Sequence, residues 1–583
     1  MNIAAIYHRP ESEFAYLYTQ DTMRIRLQTA KDDVKTVALI SGDHYLFNQK
    51  WYLEKAIMGK GLTTAHHDYW EIEVSSEYRR LSYAFYVEDH AGNEYFYCDQ
   101  GIFPYQEEFM KQDSTYFRMP YFHEIDRFKA PEWVHQTVWY QIFPERFNNG
   151  NPANDPEGTL PWGSKKPDRE DFFGGDLQGI IEKLDYLAEL GINGLYLCPI
   201  FTAPSNHKYD TVDYLEVDPH FGDKALFKEL VDKAHSRGIR VMLDAVFNHL
   251  GASSRQWQDV LKKGSQSKYA DWFHIHSFPV HYDPLPDSEF GKNINYDTFS
   301  FVPNMPKLNT ANPEVQEYLL EIAAYWIKEF DIDGWRLDVA NEVDHHFWKK
   351  FHDRVLAEKA DLYILGEIWH SSQAWLQGDE FHAVMNYAFT DSIKAFFLTP
   401  EVTGANMLDG MNHQQVLYRD QTNEVNFNLL DSHDTARMLT LCEGNKDLLR
   451  SIFTFMFLQK GTPCIYYGTE VGLAGGNDPD CRRCMPWENQ NQDQELLAFF
   501  QQLIHLRKKY ADVLSFGQLR WRTEKQRLII FQRSYLGKTL RCIFNETAEE
   551  QLVSKKGAPL FNQQTIIEED YLLAPHGFVV EMI

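Results

Sequence analysis

The spacing of apolar residues divides the chain into three zones. Residues 1–122 carry short runs in which apolar and polar residues alternate, such as RIRLQT, YWEIEV and LSYAFYVE, with Gly, Asn and Asp between the runs. Alternation with a period of two, interrupted by turn residues, is typical of half-buried strands. The pattern therefore predicts an N-terminal β-sandwich domain over residues 1–122.

Residues 123–506 alternate short apolar runs with longer amphipathic segments. The runs with strand character are TVWYQIF, NGLYLCPI, IRVMLDAVFN, DGWRLDVA, LYILGEIW, AVMNYAF, FNLLDSHD and PCIYYG. Between several of them, segments such as ALFKELVDKAHSRG space their apolar residues three or four apart, as amphipathic helices do. Eight strand–helix units predict an α/β fold, namely a (β/α)8 TIM barrel over residues 123–506.

Two further segments complete the predicted domain organisation. The stretch at about 250–304, after the third predicted strand, is polar, aromatic and irregular, and it predicts a small inserted subdomain. Residues 507–583 return to alternating runs such as RLIIFQRS and GFVVEMI, which predict a C-terminal β-sandwich domain.

The charge balance narrows the classes of partner. The chain has 84 acidic and 57 basic residues, a net charge of −27, which argues against nucleic acid or an anionic membrane surface as a partner. No apolar run has the length of a membrane span. The first residues lack the pattern of a signal peptide, and the cysteines are scattered and odd in number. We therefore expect a cytoplasmic protein with reduced thiols.

Polar side chains follow several of the predicted strands. In barrels of this kind the active site lies at the carboxyl ends of the strands. The residues at those ends are Asp244, Asn248, His249, Arg336, Asp338, Asn341, Glu342, Glu367, Trp369, His433 and Asp434. They include acids and histidines without the spacing of a metal site, which indicates acid–base chemistry by carboxylates.

Two of these carboxyl groups have different predicted environments. Arg336 and Asp338 lie two residues apart on one strand and share a face, so we expect the guanidinium to lower the pKa of Asp338 and keep it ionised. Glu367 has apolar neighbours in sequence, so we expect it to hold a proton. A pair of carboxyl groups in opposite protonation states is what a glycosidase needs.

A purely structural interpretation competes with this one. A single acid at a strand end is explained equally well by a buried salt bridge that holds the barrel together. Several acids, two histidines and an arginine at the ends of different strands are better explained by catalysis.

The segments that carry these residues resemble those of a known family. DAVFNH, GWRLDVANE, GEIW and LLDSHD resemble the four signature segments of the α-amylase family of glycoside hydrolases. MPKLN, at 305–309, resembles the extra segment of its neopullulanase, cyclomaltodextrinase and maltogenic amylase branch. The resemblance spans the whole chain, including the additional N-terminal domain.

The resemblance implies roles for individual residues. Asp338 would be the nucleophile that forms a covalent glycosyl intermediate, Glu367 the general acid and base, and Asp434 the stabiliser of the transition state. Tyr209 resembles the family's stacking platform for a sugar ring, whose apolar face suits an aromatic side chain. The substrate-binding residues implied are His249, Arg336, His433, Tyr209, His207, Asp210, Trp369, Glu342, Asp478 and Arg482.

A second group of polar residues precedes the second predicted strand. Its members are Asn149, Asn151, Asn154, Asp155, Gly174 and Asp176. Carboxylate, amide and carbonyl oxygens suit Ca²⁺, and the order of these residues resembles the calcium site of the same branch. Asn151 stands where relatives often carry Asp. A solvated turn is the alternative interpretation.

The branch also implies a substrate class and a partner. Its members act on small α-glucans: they cleave α-1,4 bonds in cyclodextrins, maltooligosaccharides and pullulan, and they often transfer glycosyl groups. The N-terminal domain is expected to mediate a homodimer, with the aromatic loop GDHYLFNQKWY at 42–52 as the segment that reaches the partner's site. Phe47 in this loop stands where relatives often have Trp.

Two other functions remain as alternatives at this stage. An oligo-1,6-glucosidase type of enzyme belongs to the same superfamily, but the MPKLN segment and the N-terminal β-rich domain count against it. A carbohydrate-binding protein with an inactive barrel would be expected to lack the carboxylates. Asp338, Glu367 and Asp434 are all present.

Overall fold

The computed structural model describes residues 1–286 and 288–583. These form two compact units. The first comprises residues 1–129, 376–378 and 402–423, and the second comprises residues 130–375, 379–401 and 424–583. The first unit therefore includes a segment that lies, in sequence, inside the predicted barrel domain.

The first unit contains two antiparallel sheets that face each other. One has the strand order Ala15–Leu17, Thr22–Ala30, His67–Ser75 and Gly59–Thr63. The other has the order Ala56–Ile57, Val34–Gly42, Leu81–Asp89, Glu94–Cys98 and Gly101–Pro104, with Phe117–Met119 paired to Leu81–Asp89. Met23, Ile25, Val37 and Phe85 are fully buried in one cluster that takes residues from both sheets. The predicted N-terminal β-sandwich is confirmed.

The second unit is built on a closed parallel sheet. Its strands, in chain order, are Trp139–Ile142, Gly194–Leu197, Arg240–Ala245, Gly334–Leu337, Tyr363–Gly366, Ala383–Val384, Phe427–Asn428 and Thr462–Tyr466. The spatial order is 6-5-4-3-2-1-8-7, and a parallel bridge from Met385 to Phe427 joins the sixth strand to the seventh. The strands are apolar and buried on both faces, as in other parallel barrels. The predicted (β/α)8 barrel is confirmed.

Helices connect the barrel strands. In the second unit they are Leu177–Glu182, Leu184–Leu190, Lys224–His235, Arg255–Lys263, Pro313–Phe330, His345–Glu358, Tyr387–Leu398, Met438–Leu441, Lys446–Phe457, Gln494–Lys509 and Ala511–Phe516. The first unit has Glu107–Met110 and Gly404–Val416, and Asp420–Val425 begins in it. Several start at an aspartate whose side chain accepts a backbone N–H, as Asp223 does from Leu226 at 2.8 Å.

The C-terminal region differs from the prediction in the place of its boundary. The helix Gln494–Lys509 runs across the predicted boundary at 507, because its amphipathic pattern continues to Lys509, and the first strand begins only at Gln518. The strands Gln518–Lys525, Leu528–Tyr535, Lys538–Asn545, Gln551–Ser554, Ala558–Ile567 and Asp570–Met582 are connected by antiparallel pairing, and the long last strand pairs with three of the others. The predicted C-terminal β domain is confirmed, and its division into the two layers of a sandwich stays a prediction.

The insertion after the third barrel strand is mostly irregular. It contains the helix Arg255–Lys263 and the short paired strands Asp283–Pro284 and Gly291–Lys292. Over residues 1–286 and 288–583, no helix is both long and apolar enough to cross a membrane. All seven cysteines are free thiols and buried.

Asp333 shows what an acid does at the opposite end of a barrel strand. It lies directly before the fourth strand and is fully buried. Its oxygens are 2.7 Å from Nε2 of His235, 2.8 Å from Nη1 of Arg240 and 2.9 Å from Nζ of Lys359. Burial raises the pKa of Asp333, but the hydrogen bond with His235 and the charge of Lys359 outweigh it and lower the pKa to about 2. Asp333 is therefore a stabilising residue of the barrel base.

Replacing this carboxylate is expected to destabilise the protein in a pH-dependent way. Asp333→Asn should lower the free energy of unfolding by about 2 kcal/mol at pH 7, since the folded-state pKa lies below the unfolded one. Chemical denaturation should show the deficit shrinking as pH falls from about 4 to about 2, where the wild-type carboxylate also becomes protonated. The exposed Asp232→Asn is the control, and an equal loss in both variants would contradict the assignment.

Candidate active site

Arg336 is the centre of a polar network at the carboxyl ends of the barrel strands. Its Nη1 lies 2.8 Å from Oδ1 of Asp338, and 3.0 and 2.9 Å from the two carboxylate oxygens of Asp244. Its Nη2 lies 3.0 Å from Oε2 of Glu367. The parallel register places Asp244 on the third strand beside Arg336 on the fourth. One buried cation is therefore shared by three buried carboxylates.

Glu367 has polar surroundings in place of the apolar ones that its sequence neighbours suggested. Besides Arg336, Oε2 accepts a hydrogen bond from the backbone N–H of Val339 at 2.8 Å, and Oε1 accepts one from Nε1 of Trp369 at 3.1 Å. Val339 has a left-handed φ of 46°, which turns the chain after Asp338. The prediction of apolar surroundings is therefore wrong.

A tyrosine and a histidine lie parallel beside this cluster. The rings of Tyr209 and His433 have centroids 5.3 Å apart and planes within 4°. The Tyr209 hydroxyl donates to Oδ2 of Asp244 at 2.9 Å and is 2.6 Å from Nε2 of His433. Nε2 of Gln141 is 2.6 Å from the other ring nitrogen of His433, and Nε2 of His249 is 3.0 Å from the carbonyl oxygen of Tyr209.

The loop that carries Tyr209 is anchored from below. Lys208 is fully buried with a left-handed φ of 64°, and its Nζ lies 2.9 Å from Oδ2 of Asp218. The ring of His207 packs against that of Tyr209 with centroids 5.9 Å apart. Asp210 accepts a hydrogen bond from a serine hydroxyl of the same loop. The buried ion pair thus holds the segment in which three predicted site residues lie.

Asp434 stands at the side of the cluster nearest to the eighth barrel strand. Its oxygens are 3.2 Å from Nε2 of His433 and 3.4 Å from Nη2 of Arg482. Nη1 of Arg482 is also 2.9 Å from Oδ1 of Asp478. The four residues form one chain of polar contacts that leads away from Arg336.

Two of the predicted residues, Trp369 and Glu342, lie at the exposed edge of the site. Trp369 is exposed, and its ring lies flat on that of Tyr387 with a centroid distance of 3.9 Å and an angle of 4°. Glu342 is exposed as well, and its Oε2 lies 3.4 Å from Nζ of Lys307. The structure therefore places every predicted catalytic and substrate-binding residue in one continuous network of contacts.

The protonation of Asp338 differs from the expectation. Burial, together with the nearby carboxylates of Glu367 and Asp244, raises the pKa of Asp338 well above its usual range. Burial likewise raises the pKa of Asp244 to about 6. Arg336 does lower the pKa of Asp338, as predicted, but burial and the two carboxylates outweigh it, so the expected net lowering of this pKa is wrong. One guanidinium is divided among three acids.

Several residues of the network were not assigned a role from the sequence. They are Gln141, Tyr196, Asp244, Asn248, Lys307 and Tyr387. Asp244 and Asn248 were noted from the sequence as strand-end residues, without an individual role. Gln141 is a polar residue inside an otherwise apolar strand, which is the signal that could have marked it. Lys307 and Tyr387 reach the site from other segments, so only the tertiary structure reveals them.

The second predicted group forms a separate loop cluster around Asp155 and Asp176. Nδ2 of Asn149 donates to the two Asp155 oxygens at 2.9 and 3.1 Å. Asp176 accepts from the backbone N–H of Asn151 at 2.9 Å and from Nδ2 of Asn154 at 3.3 Å, and it also caps the following helix. Two loops distant in sequence are thus tied together by carboxylates.

The chemistry of this loop cluster fits a hard cation. The amide oxygens Oδ1 of Asn149 and Asn154 are buried without a hydrogen-bond partner in the described chain. Burial raises the pKa of both Asp155 and Asp176. A Cβ at Gly174, whose φ is 86°, would overlap the Asn149 amide and the Asp155 carboxylate. Two buried amide oxygens without a hydrogen-bond partner, beside two carboxylates in closely packed loops, suit Ca²⁺ as a ligand set.

Amide and carbonyl oxygens are needed for any such site. In residues 1–286 and 288–583, no group of three or more His, Cys, Asp or Glu side chains could hold a metal ion. A transition-metal centre of the His and Cys type is therefore absent from the described part of the chain.

The fold and site together define an enzyme class. Carboxylates grouped at the mouth of a (β/α)8 barrel, with aromatic rings beside them, are the arrangement of a glycoside hydrolase.

Comparison with known proteins identifies the family. The family model described as "Alpha amylase, catalytic domain" matches residues 141–517. A second model, described as "Alpha amylase, N-terminal ig-like domain", matches residues 1–123. The chain therefore belongs to the α-amylase family. It is a glycoside hydrolase of the maltogenic amylase, cyclomaltodextrinase and neopullulanase type, as its relatives indicate.

Three relatives illustrate the similarity. Intracellular maltogenic amylase of Bacillus subtilis (strain 168) is 54% identical over 95% of this chain and 93% of its own length. Neopullulanase 2 of Thermoactinomyces vulgaris is 42% identical over 95% of this chain and 92% of its own. A solved structure of a cyclomaltodextrinase superposes with a TM-score of 0.91 at 43% identity, covering 100% of both chains.

The shared guanidinium leads to a prediction about pH dependence. If hydrolysis requires an ionised Asp338, kcat/KM should fall on the acid side well above pH 4, because the pKa of this carboxyl is raised. Asp244→Asn removes a negative charge and frees Arg336 for Asp338, so the acid limb should move to lower pH. The control Asp213→Asn changes an exposed residue and should leave the pH profile of kcat/KM unchanged. A shift of the acid side of the profile to higher pH in Asp244→Asn would contradict this electrostatic account.

Proposed function

We propose that the protein is a retaining hydrolase that cleaves α-1,4-glucosidic bonds of small α-glucans through a covalent intermediate on Asp338. The observation that carries the proposal is the contact of one guanidinium, that of Arg336, with both Asp338 and Glu367. Adjacent nitrogens of the same planar group hold the two carboxylates close together, which supports the short separation of a retaining glycosidase, about 5–5.5 Å.

In the first chemical step, Asp338 attacks the anomeric carbon while the bond from that carbon to the glycosidic oxygen breaks. Glu367 gives its proton to the departing oxygen. Three carboxylates and one guanidinium carry a net negative charge, which favours the uptake of a proton by the cluster. The step requires that proton to lie on Glu367 when the substrate is bound, with Asp338 ionised and still paired to Arg336.

In the second step, the glycosyl group leaves Asp338. Glu367, now a carboxylate, removes a proton from water, whose oxygen bonds to the anomeric carbon as the ester bond to Asp338 breaks. A sugar hydroxyl that takes the place of water gives transglycosylation, with the same proton transfer. Both outcomes restore the starting protonation states.

Sugar-binding roles follow from the same geometry. Tyr209 and His433 present parallel rings beside the cluster, and aromatic rings suit the C–H face of a glucose unit. Asp434, held by Arg482, lies next to His433 and is placed to bind hydroxyls of the sugar at the cleavage site. The exposed Trp369 and Glu342 are proposed to contact the acceptor.

The substrates proposed are cyclodextrins, maltooligosaccharides and pullulan. The names of the relatives, cyclomaltodextrinase, maltogenic amylase and neopullulanase, support this choice. A cytoplasmic location is proposed because one relative is an intracellular maltogenic amylase and because the cysteines are buried and free. The enzyme would then act on oligosaccharides that have entered the cell.

The decisive variant is Asp338→Asn. We expect the hydrolysis of β-cyclodextrin and maltotriose to fall by at least about 10³-fold, because the nucleophile is lost, while substrate binding is largely kept. Reducing-sugar assays and isothermal titration measure the two quantities. Asp353→Asn, exposed on a barrel helix, is the matched control. Near-normal turnover in Asp338→Asn would rule out the proposed mechanism.

A structural Ca²⁺ is proposed in the cluster formed by Asn149, Asn151, Asn154, Asp155, Gly174 and Asp176. The residues that would hold it are the two aspartates and the uncommitted amide oxygens of Asn149 and Asn154. When bound, the ion would link the loop at 149–155 to that at 174–176. We propose a structural role for the ion, because the carboxylates assigned to bond cleavage, Asp338 and Glu367, are held by Arg336.

Removal of calcium is expected to lower thermal stability. Treatment with EGTA should reduce the Tm by several degrees, because a ligand that binds only the folded state stabilises it, and added Ca²⁺ should restore the Tm. Asp155→Asn should abolish most of this response, whereas Asp168→Asn in the neighbouring exposed loop should retain it. Unchanged Tm and activity after chelation would refute the calcium proposal.

A homodimer through the N-terminal domain is also proposed. Tyr45, Leu53 and Ile57, in or near the loop at 42–52, are large apolar side chains with 72%, 50% and 67% exposure. Phe47 is instead half-buried and stacks on Tyr52 with centroids 4.9 Å apart. Clustered exposed apolar side chains support an interaction surface at this loop.

Light scattering tests the dimer directly. A mass of about twice the chain mass of 68.4 kDa is expected at working concentrations. Tyr45→Ser together with Ile57→Ser should shift the equilibrium towards the monomer, whereas Leu536→Ser, an exposed apolar change in the C-terminal sheet domain, should not. A mass near that of one chain across all concentrations would exclude the dimer.

A further inference from the structure

The lysine of the MPKLN segment is brought to the mouth of the barrel by backbone pairing. Lys307 pairs with His249 in an antiparallel bridge. The backbone N–H of Leu250 donates to the carbonyl of Pro306 at 3.1 Å, and that of Leu308 donates to the carbonyl of Asn248 at 3.0 Å. The segment therefore lies along the end of the third barrel strand, next to a predicted sugar-binding histidine.

The ammonium group of Lys307 connects two parts of the active site. Its side chain is only 19% exposed. Nζ donates to Oδ1 of Asn248, to the carbonyl oxygen of Glu342 at 3.0 Å and to Oε2 of Glu342 at 3.4 Å. An ammonium has three donors and no acceptor, so these contacts use its full capacity.

The contact with Asn248 determines the hydrogen-bond direction of the residues beyond it. Because the ammonium can only donate, Asn248 must turn its oxygen towards Lys307 and its Nδ2 towards Nδ1 of His249, 3.2 Å away. The neutral imidazole then carries its proton on Nε2 and donates it to the carbonyl oxygen of Tyr209 at 3.0 Å. Burial lowers the pKa of His249 to about 4, which keeps the ring neutral.

The contact with Glu342 lies on the other side of the cleavage site. Glu342 ends the turn Ala340–Glu342, which follows Asp338 and Val339. The same stretch contacts Glu367, because the N–H of Val339 donates to its Oε2 at 2.8 Å and the N–H of Ala340 to its carbonyl at 3.3 Å. A general acid protonates the leaving group, so this stretch borders the space where the leaving group departs and an acceptor enters.

We propose that Lys307 is a positioning residue that acts on both sides of the cleavage site. Through Asn248 it holds His249 as an Nε2–H donor that supports the Tyr209 segment, and through Glu342 it holds a carboxylate at the acceptor side. The contact of Lys307 with Glu342 sets the ratio in which the glycosyl-enzyme reacts with water or with a sugar acceptor. This inference rests on the proposed function, because it requires a glycosyl intermediate that both acceptors can attack.

The experiment compares Lys307→Met, Lys307→Arg and the control Lys262→Met, an exposed lysine of the inserted helix. With maltotriose as substrate, Lys307→Met should lower kcat/KM by about tenfold, the effect of losing a buried charged hydrogen bond. The ratio of transfer to hydrolysis products should change at least about twofold. Lys307→Arg keeps a donor-only side chain and should recover much of both values.

Two further readouts separate positioning from a general loss of stability. Long-range ¹H–¹⁵N spectra of histidine-labelled protein report the tautomer, and the His249 signals are identified by their absence in His249→Gln. We expect the Nε2–H form in the wild type, where Asn248 and the Tyr209 carbonyl both favour it, and a larger share of the Nδ1–H form in Lys307→Met, where only the carbonyl does. A double-mutant cycle with Glu342→Gln should show non-additive changes in the product ratio, because both variants break the same contact.

The outcomes that overturn the inference are distinct from failure of the proposed function. A wild-type enzyme that does not hydrolyse α-1,4-glucans refutes the proposed function itself. An active wild type together with an unchanged product ratio and an unchanged His249 tautomer in Lys307→Met refutes the role of Lys307. If Lys307→Met does not fold, Glu342→Gln tests the acceptor side alone, and an unaltered product ratio there also overturns the proposal.

Discussion

The sharing of one buried guanidinium by three carboxylates is the constraint on which the active site depends. Arg336 contacts Asp244, Asp338 and Glu367, which reside on three neighbouring strands. Removing charges from water is costly unless they are paired, and here one cation serves three anions. The cluster is therefore short of positive charge. Burial raises the pKa of both Asp338 and Asp244, and the neighbouring carboxylates raise that of Asp338 further. An excess of negative charge at one point suits a reaction whose transition state is positively charged.

The surrounding structure maintains this unfavourable arrangement. The barrel is closed and its strands are mostly apolar and buried, so the strand ends have little freedom to move apart. Two segments at the mouth are fixed by buried polar contacts: Lys208 with Asp218 beside Tyr209, and Lys307 with Asn248 beside His249. At the opposite end of the fourth strand, Asp333 is fully matched by cations, as expected where an acid serves only stability. The fourth strand is thus preceded by an acid, Asp333, whose charge is balanced by cations. It is followed by another, Asp338, which shares its one cation with two other acids.

Much of the fold could be predicted because its signals are local. The eight apolar runs, several of them separated by helical patterns, correspond to the eight barrel strands. The sixth and seventh runs were the least accurate, since only Ala383–Val384 and Phe427–Asn428 are strands and a helix begins at Tyr387. The predicted boundary at 507 was misplaced, because the amphipathic helix Gln494–Lys509 continues across it. Composition alone does not mark the end of such a helix. The candidate residues of the site were found because strand ends converge at the mouth of a barrel.

The sequence by itself determined which residues are candidates for chemistry, since strand ends and signature segments can be read along the chain. Only the tertiary structure decided the environment of each. Sequence neighbours made Glu367 appear apolar and Asp338 well paired, whereas neighbouring strands supply Glu367 with donors and divide the charge of Arg336 among three acids. The physical reason is that a pKa depends on charges and solvent within several ångströms in space. Those neighbours come from residues distant in sequence, such as Asp244 beside Arg336.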